Sequence, residues 1–298
     1  MSQLKSNLSI IFDKLLSENT RHKAEKVILV IALVSFFIHL ALIYLIQFEL
    51  IDFLPPTGLL KNPISAIYTP FSFILVFEVY LLIYYLPKSF TTYITKQYEI
   101  ITLIIIRKLF KDLADLELTS EWFEIKGDLQ FTYDLIASLI LFYLIYQFKN
   151  QGKRLFELRS EIKNKIDSFV DKKKLIAIFL VPLFFVMAVY TLVDWSINIS
   201  FATNELPSFE EINNLFFDQF FTVLILVDVV VLLLSFFYTD QFHKITRNSG
   251  FIISTILIRM SFGVSGLINS ILVVVAVLFG LTIILIHNQY EKNSLYDT

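Results

Sequence analysis

Long apolar runs alternate with short polar segments along the chain. Six of the runs, at residues 27–47, 70–86, 131–148, 175–193, 220–238 and 267–286, are long enough for a helix to cross a bilayer. About 20 apolar residues rising 1.5 Å each cover the roughly 30 Å hydrocarbon core. Two further runs, 98–116 and 251–262, are shorter or carry charge, and the topology depends on whether they cross as well. Helical periodicity also occurs outside the runs. Leu4, Leu8, Ile11, Phe12 and Leu15 share a helical face ahead of the first run, and Leu155, Leu158, Ile162, Ile166, Phe169 and Val170 share one between the fourth and fifth expected crossings. Both read as amphipathic helices lying on the membrane surface or on the bundle, a partner-binding helix being the sharper alternative.

Loop charge decides the two doubtful runs. The basic segments are the N-terminus with Lys5, Lys14, Arg21 and Lys23, the stretch around Lys88 and Lys96, residues 149–174 ending in Lys172, Lys173 and Lys174, and the group His243, Lys244 and Arg247. Between them lie acidic segments, with Glu49 and Asp52, then Asp112, Asp115, Glu117, Glu121 and Glu124, then Glu205, Glu210 and Glu211. Only eight crossings with both termini in the cytoplasm place every basic segment on one side, as the positive-inside bias requires. No small-residue cleavage site closes the first run, so it is expected to be a retained span. The expectation is an all-α integral membrane protein of about eight transmembrane helices in the plasma membrane, a bacterial inner membrane in particular.

The eight runs repeat in fours. Leu33-Val34-Ser35-Phe36-Phe37 corresponds to Leu180-Val181-Pro182-Leu183-Phe184, and Phe71-Ser72 to Phe221-Thr222 with Glu78 over Asp228. The strongest match sets Ile100-Ile101-Thr102-Leu103-Ile104-Ile105-Ile106-Arg107 over Ile252-Ile253-Ser254-Thr255-Ile256-Leu257-Ile258-Arg259. Chance identities are common among apolar residues, so the weight rests on the charged positions recurring in order. Four crossings per copy make the copies parallel, related by an axis along the membrane normal. The expected organisation is a cytoplasmic amphipathic segment at 1–26, a first four-helix repeat at 27–148, a basic cytoplasmic linker helix at 149–174, a second four-helix repeat at 175–287 and a cytoplasmic tail at 288–298.

Charges inside the runs are the candidate chemistry. Glu78 and Arg107 each lie about nine residues from the inner end of their run, roughly 13 Å deep, and Asp228 and Arg259 lie at much the same depth. A charge at the bilayer centre costs about 2.5–3.5 kcal/mol, so four of them require pairing or a water-filled cavity. Two ion pairs are expected, Glu78 with Arg107 and Asp228 with Arg259. They are either structural bridges that set which helix packs on which, or parts of an ion or proton pathway. Lys108, Lys111, Asp134 and His39 extend the polar set toward the outer half of the first copy. Histidine as a residue type ordinarily changes charge near neutral pH, although a lone intramembrane histidine such as His39 is more often a packing residue.

Composition narrows the classes. At 56% hydrophobic and 17% charged residues, with mean hydropathy +0.69, the chain is far from the roughly 25% charge of soluble domains. A net charge of −2 speaks against a general polyanion binder, so no nucleic-acid partner is expected. The absence of cysteine removes thiolate chemistry and cysteine metal sites. His22, His39, His243 and His287 are far apart and never spaced as metal ligands on one helix, and neither His-Glu-x-x-His nor a Gly-Lys-Ser/Thr phosphate loop occurs. Gly127-Asp128 is the sole Gly-Asp pair and falls in a polar loop, which argues against an intramembrane aspartyl protease. No enzyme, metal or cofactor is expected. Glycine and proline number 7 each, too few inside the runs for a filter lined by backbone carbonyls, so any site must be built of side chains.

An acid in a second helix with cations in a later one resembles the voltage-sensor arrangement in topology alone. Runs 131–148 and 267–286 hold neither Arg nor Lys. Two functions stand open at this point. The first is an ion or proton channel or transporter, or a subunit of one, with protons or small ions passing near the intramembrane charges. The second is a non-transporting scaffold or accessory subunit that presents its cytoplasmic helices to a protein partner, which includes a second copy of itself. A water-accessible cavity at the level of Arg107 separates them.

Overall fold

A computed structural model describes residues 10–50, 60, 63–113, 116, 126–157, 164–201, 209–264 and 266–294. Among these the chain is all helical, in eight long elements: α1 (Glu18–Gln47), α2 (Tyr68–Tyr85), α3 (Phe90–Asp112), α4 (Lys126–Glu157), α5 (Asn164–Phe201), α6 (Phe209–Phe236), α7 (Phe242–Ser261) and α8 (Leu267–Ser294). A short 3₁₀ helix, Pro63–Ile67, leads into α2. Six helical stretches are long and apolar enough to cross a membrane, and they coincide with the six clear runs of the sequence. The two doubtful runs are the helices α3 and α7.

Local chemistry sets the helix ends. Ser17 adopts an extended conformation, and its Oγ accepts a hydrogen bond from the Thr20 N–H at 3.1 Å, satisfying one of the unpaired donors at the start of α1. At the other end Glu49 takes a left-handed conformation with φ of 55°. Glu49 N–H bonds Ile46 O and Leu50 N–H bonds Leu45 O, both at 3.0 Å, which closes the helix in a Schellman turn without the usual glycine. Between α7 and α8 the chain reverses at Gly266, whose φ of +80° suits a residue without Cβ. Pro182 lies inside α5 and withholds one backbone donor from the helix ladder.

The packing units do not follow the sequence halves. One compact unit comprises Met1–Tyr84 with Lys174–Val227, and the other Tyr85–Lys173 with Asp228–Thr298. Each therefore draws on both halves of the chain. The first unit contains α1, the 3₁₀ helix, α2 and most of α5 and α6, with the 3₁₀ helix packed on α1. Its interior includes Leu16, Ile43, Leu82 and Leu180, with the Phe184 and Phe220 rings 4.6 Å apart between centroids. The second unit is a four-helix bundle in which α3 packs on α4, α4 on α8, α8 on α7, and α7 back on α3. Its core stacks Tyr98 on Phe148 and Phe148 on Phe251, edge to face, at 5.0 and 5.3 Å.

The segment expected as a separate linker helix is distributed differently. Residues 149–157 continue α4 and residues 164–174 open α5, while 158–163 lie outside the described residues. Its three final lysines each cover an aromatic ring: Lys172 over Tyr238, Lys173 over Phe90 and Phe169, and Lys174 over Phe12. Lys173 is buried and its Nζ donates to Lys88 O. Also outside the described residues are Leu4, Lys5, Leu8, Asp52, Asp115, Glu117, Glu121, Glu124 and Glu205.

Candidate functional site

The second unit concentrates the polar groups. Asp228 on α6 is fully buried, and its carboxylate lies 2.9 Å from Nη2 of Arg259 on α7. Tyr93 Oη donates to Asp228 Oδ1 at 2.7 Å, and Gln97 Nε2 approaches both carboxylate oxygens at 3.3 and 3.4 Å. Arg259 Nη2 also donates to Gln97 Oε1 at 2.7 Å, which closes a triangle of acid, base and amide. Tyr93 and Gln97 are four residues apart on α3 and so present one face to Asp228. Charge-assisted bonds of this kind offset the desolvation of both ions, a condition that a bare buried pair fails to meet.

A second level lies between α3, α7 and α8. Ser254 Oγ donates to Ala276 O at 2.6 Å, so its single proton is engaged and Tyr98 Oη, also 2.6 Å away, must donate to it. Gly280 makes room for that phenol, because a Cβ there would stand 2.0 Å from Tyr98 Oη. A third level joins Asp134 on α4 to Lys108 on α3 at 2.8 Å. Gln130 and Ser270 also donate to this carboxylate, at 2.8 and 2.6 Å.

At the end of the bundle where α7 starts and α8 finishes, Arg247 donates from Nη1 to His287 Nε2 at 2.9 Å. Its Nε and Nη2 are held by Asn248 Oδ1 at 3.2 and 2.9 Å. The His243 and His287 rings stack with centroids 5.2 Å apart, and Glu291 stands beside both. His243 is held below its ordinary imidazole pKa, first by partial burial and then by His287 and Lys244, with Glu291 acting the other way.

The residues singled out from sequence therefore divide. Asp228 meets Arg259, and Lys108 meets Asp134. Glu78 is buried on α2 in the first unit, whereas Arg107 is half-buried on α3 in the second, its Nε 3.3 Å from Leu103 O. His39 is buried on α1 with Nδ1 hydrogen-bonded to Thr69 Oγ1 near the start of α2. Lys111 lies on α3 with its side chain outside the described part. Sequence reasoning passed over Tyr93, Gln97 and Ser270, which are neutral and unremarkable in a hydropathy trace. It also passed over the i, i+4 spacing of His287 and Glu291, because only His-to-His spacing was considered.

Two grooves on the first unit are apolar, one lined by Phe185, Val186, Val189, Tyr190 and Val193 and the other by Met187, Gln219, Thr222 and Val223. Neither is lined by Glu78, Arg107, Asp228 or Arg259. No protein-family model, curated protein or solved structure matches the chain.

Proposed function

We propose that this is a multi-pass membrane protein of eight crossings whose intramembrane charges hold its helices in register, and that it acts as a scaffold or accessory subunit. The membrane reading is supported by helices such as α1, which exposes Val27, Leu29, Val30, Ile31, Leu33 and Val34 in one stretch. Such a surface in water would be an aggregation site. The helices α3 and α7, at 23 and 20 residues, extend about 34 and 30 Å with their basic N-terminal turns included, so eight crossings have those turns reach the membrane surface. Duplication rests on the charged positions that recur in order along the sequence, Glu78 with Asp228 and Arg107 with Arg259. Cytoplasmic termini and a plasma-membrane location rest on the distribution of Lys and Arg.

One observation carries the scaffold reading. Asp228 has no exposed surface and takes its hydrogen bonds from Arg259, Gln97 and Tyr93, all within one bundle. A carboxylate so enclosed fixes helix positions and leaves no face toward a passing ion. The second reading, proton or small-ion passage, draws on the levels of polar groups along α8. Ser270, Ala276 and His287 mark these levels over about 26 Å.

Reconstitution of the purified chain in liposomes separates the two. The expected result is no flux of protons, potassium, sodium or chloride above empty vesicles, with Asp228→Asn no different. A wild-type proton flux abolished in a still-folded Asp228→Asn variant would overturn the scaffold reading in favour of passage.

A further inference from the structure

Three potential ligand atoms converge at the end of the second unit where α7 begins and α8 ends. Glu291 Oε1 lies 3.4 Å from His287 Nε2 and 3.9 Å from His243 Nε2, and one ligand atom from each residue lies within 4.8 Å of the others. His287 and Glu291 sit one turn apart on α8, and His243 stands opposite them in the first turn of α7. Two imidazoles and one carboxylate from two packed helices form the donor set of many divalent-metal sites, which keep a further position open. Tetrahedral zinc with bonds of about 2.0–2.2 Å places its ligand atoms about 3.3–3.6 Å apart. Closing the present spacing requires an inward turn of His243, whose side chain is 21% exposed and stacks on the rings of His287 and Tyr290.

A second observation sets this cluster apart from ordinary core packing. The His287 side chain is 1% exposed, and its ring has the backbone of His243 beside it as well as the side chains of Arg247 and Glu291. Its Nε2 faces a donor, Arg247, and an acceptor, Glu291, and a single proton cannot suit both. A cation held between His287 Nε2 and Glu291 meets a lone pair on each side and removes that conflict.

We propose that His243, His287 and Glu291 form a binding site for a divalent transition-metal cation of the zinc class. The site does not depend on whether the bundle conducts anything. On binding, the cation takes His287 Nε2 in place of Arg247 Nη1, while Arg247 stays anchored through Nε and Nη2 to Asn248 Oδ1. The guanidinium then acts as an opposing charge beside the metal. This gives the proposal an unusual signature, because removing a residue that is not a ligand should strengthen binding.

The test uses the full chain in detergent micelles, purified with a tag that contains no histidine and titrated with Co²⁺ as a spectroscopic probe. One equivalent should give visible d–d bands that Zn²⁺ displaces. His243→Gln and Glu291→Gln should each weaken binding by at least about tenfold, the lower end for perturbed metal sites. Arg247→Gln should tighten it, by about tenfold if the lost repulsion is near 1.4 kcal/mol. Circular dichroism of each variant confirms that it folds, and His243, in the first turn of α7, is the substitution least disruptive to packing. Absence of saturable Co²⁺ binding to the folded wild type, or equal binding by His243→Gln and Glu291→Gln, overturns the site.

Discussion

Helices α1 and α7 bury opposite chemistries. Of the 30 residues of α1, only Ala32, His39, Ile43 and Ile46 are buried, and its apolar side chains face outward on most sides. The 20 residues of α7 bury ten, among them Arg247, Asn248, Ser254, Thr255, Arg259 and Ser261. In water the order would be reversed. Lipid is as apolar as a protein core, so hydrophobicity brings no advantage to burying a leucine rather than leaving it at the surface, whereas a polar group has nowhere else to go. The helix whose sequence looks least suited to a membrane is therefore the one surrounded by other helices. Hydropathy in such a chain reports what touches lipid, and interrupted hydropathy reports the centre of the bundle.

The sharpest way to break this contrast is to remove charge from the centre. Arg259→Met should destabilise the protein by about 3–5 kcal/mol, because it strands the Asp228 carboxylate in a site with no exposed surface. Asp228→Leu combined with Arg259→Met should recover part of that loss, since neither ion is then left alone. Unfolding in mixed micelles by titration with a denaturing detergent measures both. A double variant less stable than the single would show that the pair contributes more than its mutual neutralisation.

A smaller effect is expected where the bundle is tightest. Gly280→Ala places a methyl 2.0 Å from Tyr98 Oη and 3.0 Å from Cζ, and overpacking of that kind costs about 1–3 kcal/mol. Tyr98→Phe removes the nearer atom and should restore most of the loss, at the expense of one hydrogen bond to Ser254. If Tyr98→Phe gives no relief, the methyl is accommodated by a shift of α8 as a whole. The same unfolding assay reads both variants.

How far the sequence foretells this structure depends on the kind of residue. The six apolar helices could be read directly, because predominantly apolar stretches of that length match a membrane span in length and composition. Asp228 and Arg259 stood out for the complementary reason, as charges in apolar surroundings. Tyr93 and Gln97, which complete that network, did not, since neutral polar residues are tolerated in spans and leave no mark on their own. The approach of His243 to His287 arises from the α7–α8 hairpin and has no local signature. Nor does linear order reveal that the compact units interleave the two halves of the chain, because that depends on which apolar faces select each other. Glu78 and Arg107 illustrate the consequence. Their order in the chain matches that of Asp228 and Arg259, yet they belong to different units.

The smallest expected effect belongs to α1. Leu33→Ala should change stability by no more than about 0.5 kcal/mol, because the Leu33 side chain is 58% exposed and exchanges one apolar environment for another. The matching truncation in α7, Ile258→Ala, removes a side chain with no exposed surface and should cost about 2–5 kcal/mol. Both are measured as shifts in the midpoint of detergent unfolding, in monodisperse micelles and again in bilayers. A cost at Leu33 that approaches the one at Ile258 in bilayers but not in micelles would mean that protein rather than lipid covers this face of α1. The exposed apolar stretch from Val27 to Val34 would then be a helix–helix interface, and the contrast between the two helices would hold only for the isolated chain.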